Sequence, residues 1–295
     1  MPDFNLINLG ELSKPATVLI EKVSEAVGGV FRPYQTRRMA GAEADAAITQ
    51  AQAQIQISDL QRRAMHRFLI EEGQKQENIE SITQKALPNV ASDAQPENIE
   101  RDWITNFFDK GRVVSDEDMQ ILWSKVLAGE ANKPGSYSKR TVNLLSSMDR
   151  AEADLFRSLC SFVWRLGTLT PIIYDVLNPI YTNAGINFGS LQHLDLVGLI
   201  NFNDLTGFEK MLNSPHQGGG SLERSIPASY CGTPYILNLP REQTRFPIGK
   251  AVFTAPGSEL ALVAGSTPRE DYRTYILDQW KNYNVTTGTV ILTSN

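Results

Sequence analysis

Apolar side chains recur at helical spacing through the first half of the chain, and the pattern changes after Trp164. The densest run lies between Trp103 and Trp164. Met119, Leu122, Trp123, Val126 and Leu127 line one face there, as a helix of 3.6 residues per turn requires. Ser115 is the expected N-cap, followed by Asp116, Glu117 and Asp118 at the positive end of the helix dipole. Gly129 and Pro134-Gly135 predict the stop. Ser136 or Ser138 predicts the cap of a short helix carrying Val142, Leu144 and Leu145. Asp149 and Glu152 make a capping box that opens a helix with Phe156, Leu159, Cys160, Val163 and Trp164 as its buried stripe. Trp103, Ile104, Phe107 and Phe108 predict one more, ending near Gly111. Four short aromatic-rich helices over residues 96–166 predict one compact helical block.

Residues 1–33 read as an amphipathic N-terminal helix, capped by Ser13, with Pro15 in its first turn and Gly28-Gly29 at its end. Its apolar face, Val18, Leu19, Val23 and Val27 with Phe31 beyond, suits docking on its own protein or on a second copy, or on a membrane interface. Residues 34–95 read as a long helical rod, rich in Ala and Gln and free of proline before Pro88. It is either continuous or folded back at Gly73 as a hairpin. Its stripe of Ile48, Ile55, Leu60, Phe68, Leu69, Ile79 and Ile82 is too thin for a lone helix and predicts pairing as a coiled coil. Arg62, Arg63 and Arg67, with His66, form a basic ridge: a solvated face, or a seat for an anionic partner such as lipid head groups or RNA. Residues 89–95 read as a hinge.

Residues 167–284 read as an α+β domain. A helix at Phe188–Val197 runs into Gly198-Leu199-Ile200, and candidate strands follow at Tyr230–Leu239 and Ile248–Thr254. A short helix starts at Pro256-Gly257, and a last one carries Tyr272, Tyr275, Ile276 and Trp280. That order predicts a winged-helix-like domain. Residues 212–225 read as a glycine-rich loop, and 285–295 as a tail ordered only by joining a partner's sheet. The expected fold is therefore mainly α: a long N-terminal helix or helical hairpin, a compact helical block, and a C-terminal winged-helix-like α+β domain.

A net charge of -5 and a pI near 5.4 argue against a generally basic nucleic-acid binder. The candidate recognition helix has no Lys or Arg and carries Asp195, so nucleic acid is disfavoured. The 2 cysteines, Cys160 and Cys231, lack metal-ligand spacing. His66, His193 and His216 lie in three separate segments. Glu130, with Lys133, Lys139 and Arg140 nearby in sequence, is the carboxylate a nuclease-like site would use; a structural role is the simpler account. There is no P-loop, nucleophile elbow or dinucleotide fingerprint. The expectation is a protein that is not an enzyme and has no cofactor and no metal. The N-terminus does not read as a secretory signal, and no apolar run reaches the ~18 residues of a membrane span. A cytoplasmic protein is expected, peripheral at the inner membrane if the N-terminal helix meets it.

The strings VSDEDMQILWSKVLAGE (114–130) and PGSYSKRTVNLL (134–145) resemble a bacterial family of unknown function. GELSKPATVLIEKVSEAVGGVFRP (10–33) and QENIESITQKALP (76–88) extend the likeness over most of the chain. The central block also resembles proteins grouped with the alpha family of abortive-infection proteins. The resemblance implies a bacterial phage-defence setting and supplies no catalytic residue. The expected function is a non-enzymatic component of such a defence, a homo-oligomer that recognises a protein partner. The alternatives are a membrane-surface or pore-forming effector using the N-terminal helix, and a nucleic-acid-binding protein or nuclease.

Overall fold

The computed structural model describes residues 12–28, 58–212, 223–240 and 242–289. The chain divides into two compact units, Met1–Ser146 and Ser147–Asn295.

In the first unit, helix α1 (Lys14–Val27) is capped as its sequence predicts: Ser13 Oγ accepts from Ala16 N at 3.4 Å, and Pro15 sits in the first turn. Four more helices follow: α2 (Asp59–Ala86), α3 (Arg101–Gly111), α4 (Glu117–Asn132) and α5 (Lys139–Ser147). Helix α1 packs on α3 and on the 3-10 turn Pro96–Asn98. Helix α2 opens with a Ser58/Gln61 capping box and passes Gly73 unbroken, so a hairpin at that glycine is ruled out. Residues 34–57 of the expected rod lie outside the described residues.

The core of this unit is aromatic. Phe107 meets Phe108 and Trp123 edge-on and stacks on Trp103, with ring centroids 4.9 to 5.1 Å apart. Trp103 Nε1 donates to the Tyr137 carbonyl at 2.6 Å. The contact of α2 with α4 also carries a polar hub at Gln120. Its amide Nε2 donates to Asn78 Oδ1 and to the Val114 carbonyl; its Oε1 accepts from Ser81 Oγ at 2.7 Å and from Lys85 Nζ at 2.8 Å. A buried amide with its polar atoms paired fixes geometry, because moving α2 would strand several of them at once.

Three local expectations need correction here. Asp116, not Ser115, caps α4, its Oδ1 accepting from Met119 N at 2.9 Å; a carboxylate is the stronger acceptor at the positive helix end. Helix α4 does not stop at Gly129 but runs to Asn132. The glycine serves close approach instead: a Cβ there would sit 2.7 Å from the Tyr137 ring. Residues 89–95 are no free hinge: Gln95 N donates to the Ala131 carbonyl at 3.0 Å, and Asn132 grips the start of the segment. Its Oδ1 accepts from Ala91 N at 2.8 Å and its Nδ2 donates to the Asn89 carbonyl at 2.9 Å.

In the second unit, α6 (Arg150–Cys160) has the expected Asp149/Glu152 capping box. Val163 and Trp164, expected at its end, instead open strand β1 (Val163–Leu166), which turns back into β2 (Thr168–Pro171). Short helix α7 (Pro179–Thr182), helix α8 (Phe188–Val197) and strands β3 (Ile200–Phe202) and β4 (Phe208–Met211) follow. Then come β5 (Glu223–Tyr230), β6 (Thr233–Pro240), β7 (Arg245–Gly249) and β8 (Ala251–Phe253). Helices α9 (Ala255–Ala261) and α10 (Glu270–Lys281) lead to β9 (Thr286–Thr289). A five-stranded antiparallel sheet has the order β2-β1-β5-β6-β9; β3 pairs with β8 and β4 with β7.

With 54% helix and 17% strand, the chain is mixed helix and sheet, and the mainly-α fold with a winged-helix-like domain is overturned. The misreading lies in the strands. Tyr230–Leu239 is not one strand: Cys231 and Gly232 both have positive φ, 46° and 85°, the signature of a two-residue type I′ hairpin turn. Residues 248–254 split at Gly249-Lys250, so that β7 and β8 reach different partners. Thr286–Thr289 do not wait for another molecule; as β9 they pair with β6 of their own sheet. Along β6 burial alternates strictly, with Tyr235, Leu237 and Leu239 inward, as a half-buried strand requires.

Helix α10 brings Tyr272, Ile276 and Trp280 into this core, with Trp280 at 4.6 Å from the Trp164 ring. Tyrosine hydroxyls satisfy the carbonyls around it. Tyr272 Oη donates to Phe162 O at 2.8 Å, Tyr181 Oη to Ile172 O at 3.1 Å, and Tyr174 Oη to Pro247 O at 3.0 Å.

Candidate functional site

The Gln120 hub holds one half of α2 against α4, burying Asn78, Ile79, Ile82, Thr83 and Ala86. The other half is different: every residue from Ser58 to Glu71 is exposed. Its helicity follows from the Ser58/Gln61 box and from good helix formers. Leu60 is 70% exposed, Phe68 60% and Ile70 60%, with Met65 and Leu69 near half. Leu60, Ala64 and Phe68 are spaced four apart, with Met65 and Leu69 beside them, so they form one stripe. Continued at 3.6 residues per turn, it runs into Ile79, Ile82 and Ala86, the face that α2 buries in its own unit. Glu72 and Lys75 interrupt it, paired at 2.6 Å. The Lys75 ammonium holds the Glu72 carboxyl below the usual range.

Arg62, Arg63 and His66 lie across the helix from the stripe, and Arg67 at its edge. Arg63 reaches Asp59 at 3.4 Å and Arg67 reaches Glu71 at 3.5 Å. Exposed pairs of this spacing contribute only a few tenths of a kcal/mol, about 0.3–0.5. The ridge is thus partly neutralised by its own helix. Arg62 has no ion pair among the described residues.

The expected N-terminal face is spent on the protein's own core. Leu19 and Val23 are fully buried, Val18 and Val27 half-buried, and Phe31 lies outside the described residues. Glu130 is buried and structural: Oε1 accepts from Gly135 N at 2.6 Å and Oε2 from Tyr137 N at 2.9 Å. His193 is not in the core with Leu191 and Leu194; it faces solvent, 3.0 Å from Glu152 Oε1. His216 lies outside the described residues. Among the described residues no group of three or more His, Cys, Asp or Glu is placed to hold a metal, and no helix is long and apolar enough to cross a membrane.

The stripe was only half visible in the sequence. Leu60, Phe68 and Leu69 stood out, whereas Met65 did not; Ile70, also exposed, lies on the opposite face with His66 and Arg63. No curated protein and no solved structure matches the chain significantly. One family model matches residues 62–277, from the exposed half of α2 into α10. Because that match covers well over half of the chain, the protein belongs to the family described as protein of unknown function (DUF2806).

Proposed function

We propose that this protein is a non-enzymatic component of bacterial phage defence, which works in the cytoplasm by pairing the α2 rods of two copies and recognising a protein partner. One observation carries the pairing: Leu60, Met65, Phe68 and Leu69 form an apolar stripe open to solvent on a helix fixed by its other half. Exposed apolar patches of this kind mark interaction sites. The defence setting rests on the resemblance of the central block to proteins grouped with the abortive-infection alpha family.

The alternatives have less support. A membrane-surface or pore-forming role through α1 first requires Leu19 and Val23 to leave their core. A nucleic-acid or nuclease role has to use a ridge already paired to Asp59 and Glu71. Light scattering across a dilution series tests the proposal, with a plaque assay on cells carrying the wild type or a stripe variant. Pairing and protection are lost together if it holds. A wild type that stays monomeric at high concentration removes it.

A further inference from the structure

Both cysteines of the chain line one cavity of about 180 Å³ in the second unit. They arrive there from different elements. Cys160 ends α6 and is buried. Cys231 is exposed in the β5–β6 turn. The β1–β5 ladder explains the meeting: Trp164 pairs with Tyr230, so Cys231 follows one residue past the last paired position, beside the start of β1. Val163 and Leu169 supply apolar wall, and Arg165 and Ser266 polar wall.

Three features set Cys231 apart from an incidental surface thiol. It is a non-glycine residue with φ of 46°, a conformation such residues seldom adopt. Its Sγ lies 3.9 Å from Ser266 Oγ. Arg165, which has no ion pair among the described residues, lines the same cavity. Cys160 has the opposite character. Burial pushes its thiol up to about 12, which keeps it protonated and shielded from solutes in bulk water.

We propose that Cys231 and Cys160 are an oxidant-responsive thiol pair, a modification site where peroxide joins the end of α6 to the β5–β6 turn through a disulfide. The Cys231 sulfur attacks one peroxide oxygen, the O–O bond breaks, and water leaves once the thiol proton is taken up. Cys231 is then a sulfenic acid. The Cys160 sulfur attacks the Cys231 sulfur, the S–O bond breaks, and the departing hydroxide takes the Cys160 proton as a second water. Two thiols lose two electrons, and one peroxide becomes two waters. This site is independent of the rod pairing.

The experiment uses the full chain, reduced and then exposed to stepwise hydrogen peroxide, denatured, alkylated with iodoacetamide and mapped by mass spectrometry. Both thiols are expected to disappear together as a Cys160–Cys231 peptide pair that dithiothreitol reverses, at a rate independent of protein concentration. In Cys160→Ser, Cys231 is expected to stop at a sulfenic acid that dimedone traps. In Cys231→Ser, an exposed change that leaves the core alone, Cys160 is expected to stay reduced at the same dose. Oxidation of Cys231 with Cys160 still alkylatable overturns the proposal, as do cross-links between chains that grow with concentration. The wild-type map and the Cys231→Ser arm decide the matter even if Cys160→Ser fails to fold.

Discussion

Truncating two side chains on the exposed half of α2 isolates the stripe from the fold that carries it. In Leu60→Ala with Phe68→Ala, the residues lost are 70% and 60% exposed, so little of their surface contributes to folding, and alanine is the better helix former. Full burial of such a side chain stabilises by about 1.5–3 kcal/mol. About two thirds of that remains to be gained on pairing, or roughly 1–2 kcal/mol each. A symmetric pair contains four of these side chains, giving about 4–8 kcal/mol before ordering costs, which draw the figure toward the lower end. At 1.4 kcal/mol per tenfold, ~4 kcal/mol is roughly a thousandfold rise in Kd. Sedimentation equilibrium over a wide concentration range measures it, and a thermal melt checks that both proteins fold alike. The reasoning is refuted if the double variant folds normally and pairs with the wild-type Kd.

Three other outcomes follow from the same geometry. Gln120→Leu removes the acceptor of Ser81 and Lys85 and the donor to Asn78 and Val114. It should destabilise the first unit by about 2–4 kcal/mol in urea unfolding; a loss under ~0.5 kcal/mol would mean that the hub is idle. Gly257→Ala places a Cβ 1.8 Å from the Leu199 carbonyl oxygen. The backbone there has to move, at a cost of at least ~2 kcal/mol, and an unchanged melting temperature would contradict this. Burial pushes the hydroxyls of Tyr174, Tyr181 and Tyr272 above their ordinary value. With folded values above the unfolded ~10, the stability they confer is complete below about pH 10 and is lost as pH rises. Tyrosinate absorbance should therefore rise together with loss of near-ultraviolet dichroism, and reversible ionisation in the folded protein near pH 10 would disprove it.

Helices were legible where apolar spacing and caps agreed. Ser13 and the stripe of α3 gave α1 and α3 to within a residue or two, and Asp149 gave the start of α6 but not its end, because a capping side chain and its partner sit within one turn. Boundaries failed where a glycine had a tertiary reason. Gly129 looks like a stop until the Tyr137 ring is seen against it. The sheet failed most, since β1 pairs with β5 across more than sixty residues of sequence and local spacing carries no record of such a partner. The hairpin turn was hidden by Cys231, because a type I′ turn usually announces itself with Asn or Gly at that place. Of the candidate faces, the stripe on α2 was partly readable, and the α1 face was readable as an amphipathic surface for docking on its own protein or on a second copy, the first of which the buried Leu19 and Val23 match.

The clamp and the stripe make most sense as one device. A helix as short as Ser58–Glu71 is marginal in water on its own, and a frayed helix has to be ordered before it can pair. Here the segment continues a helix whose other half is fixed by Gln120, Asn78, Ser81 and Lys85, so its backbone is held before any partner arrives and association costs less. Glu72 and Lys75 keep the boundary between clamped and open halves polar, which stops the stripe from sliding into its own core. It follows that Gln120→Leu should weaken pairing even though Gln120 lies outside the stripe. Leu60→Ala with Phe68→Ala should weaken pairing while leaving the clamp intact. A Gln120→Leu protein with slackened first-unit stability but an unchanged Kd would separate the two and show that the rod pairs without being held.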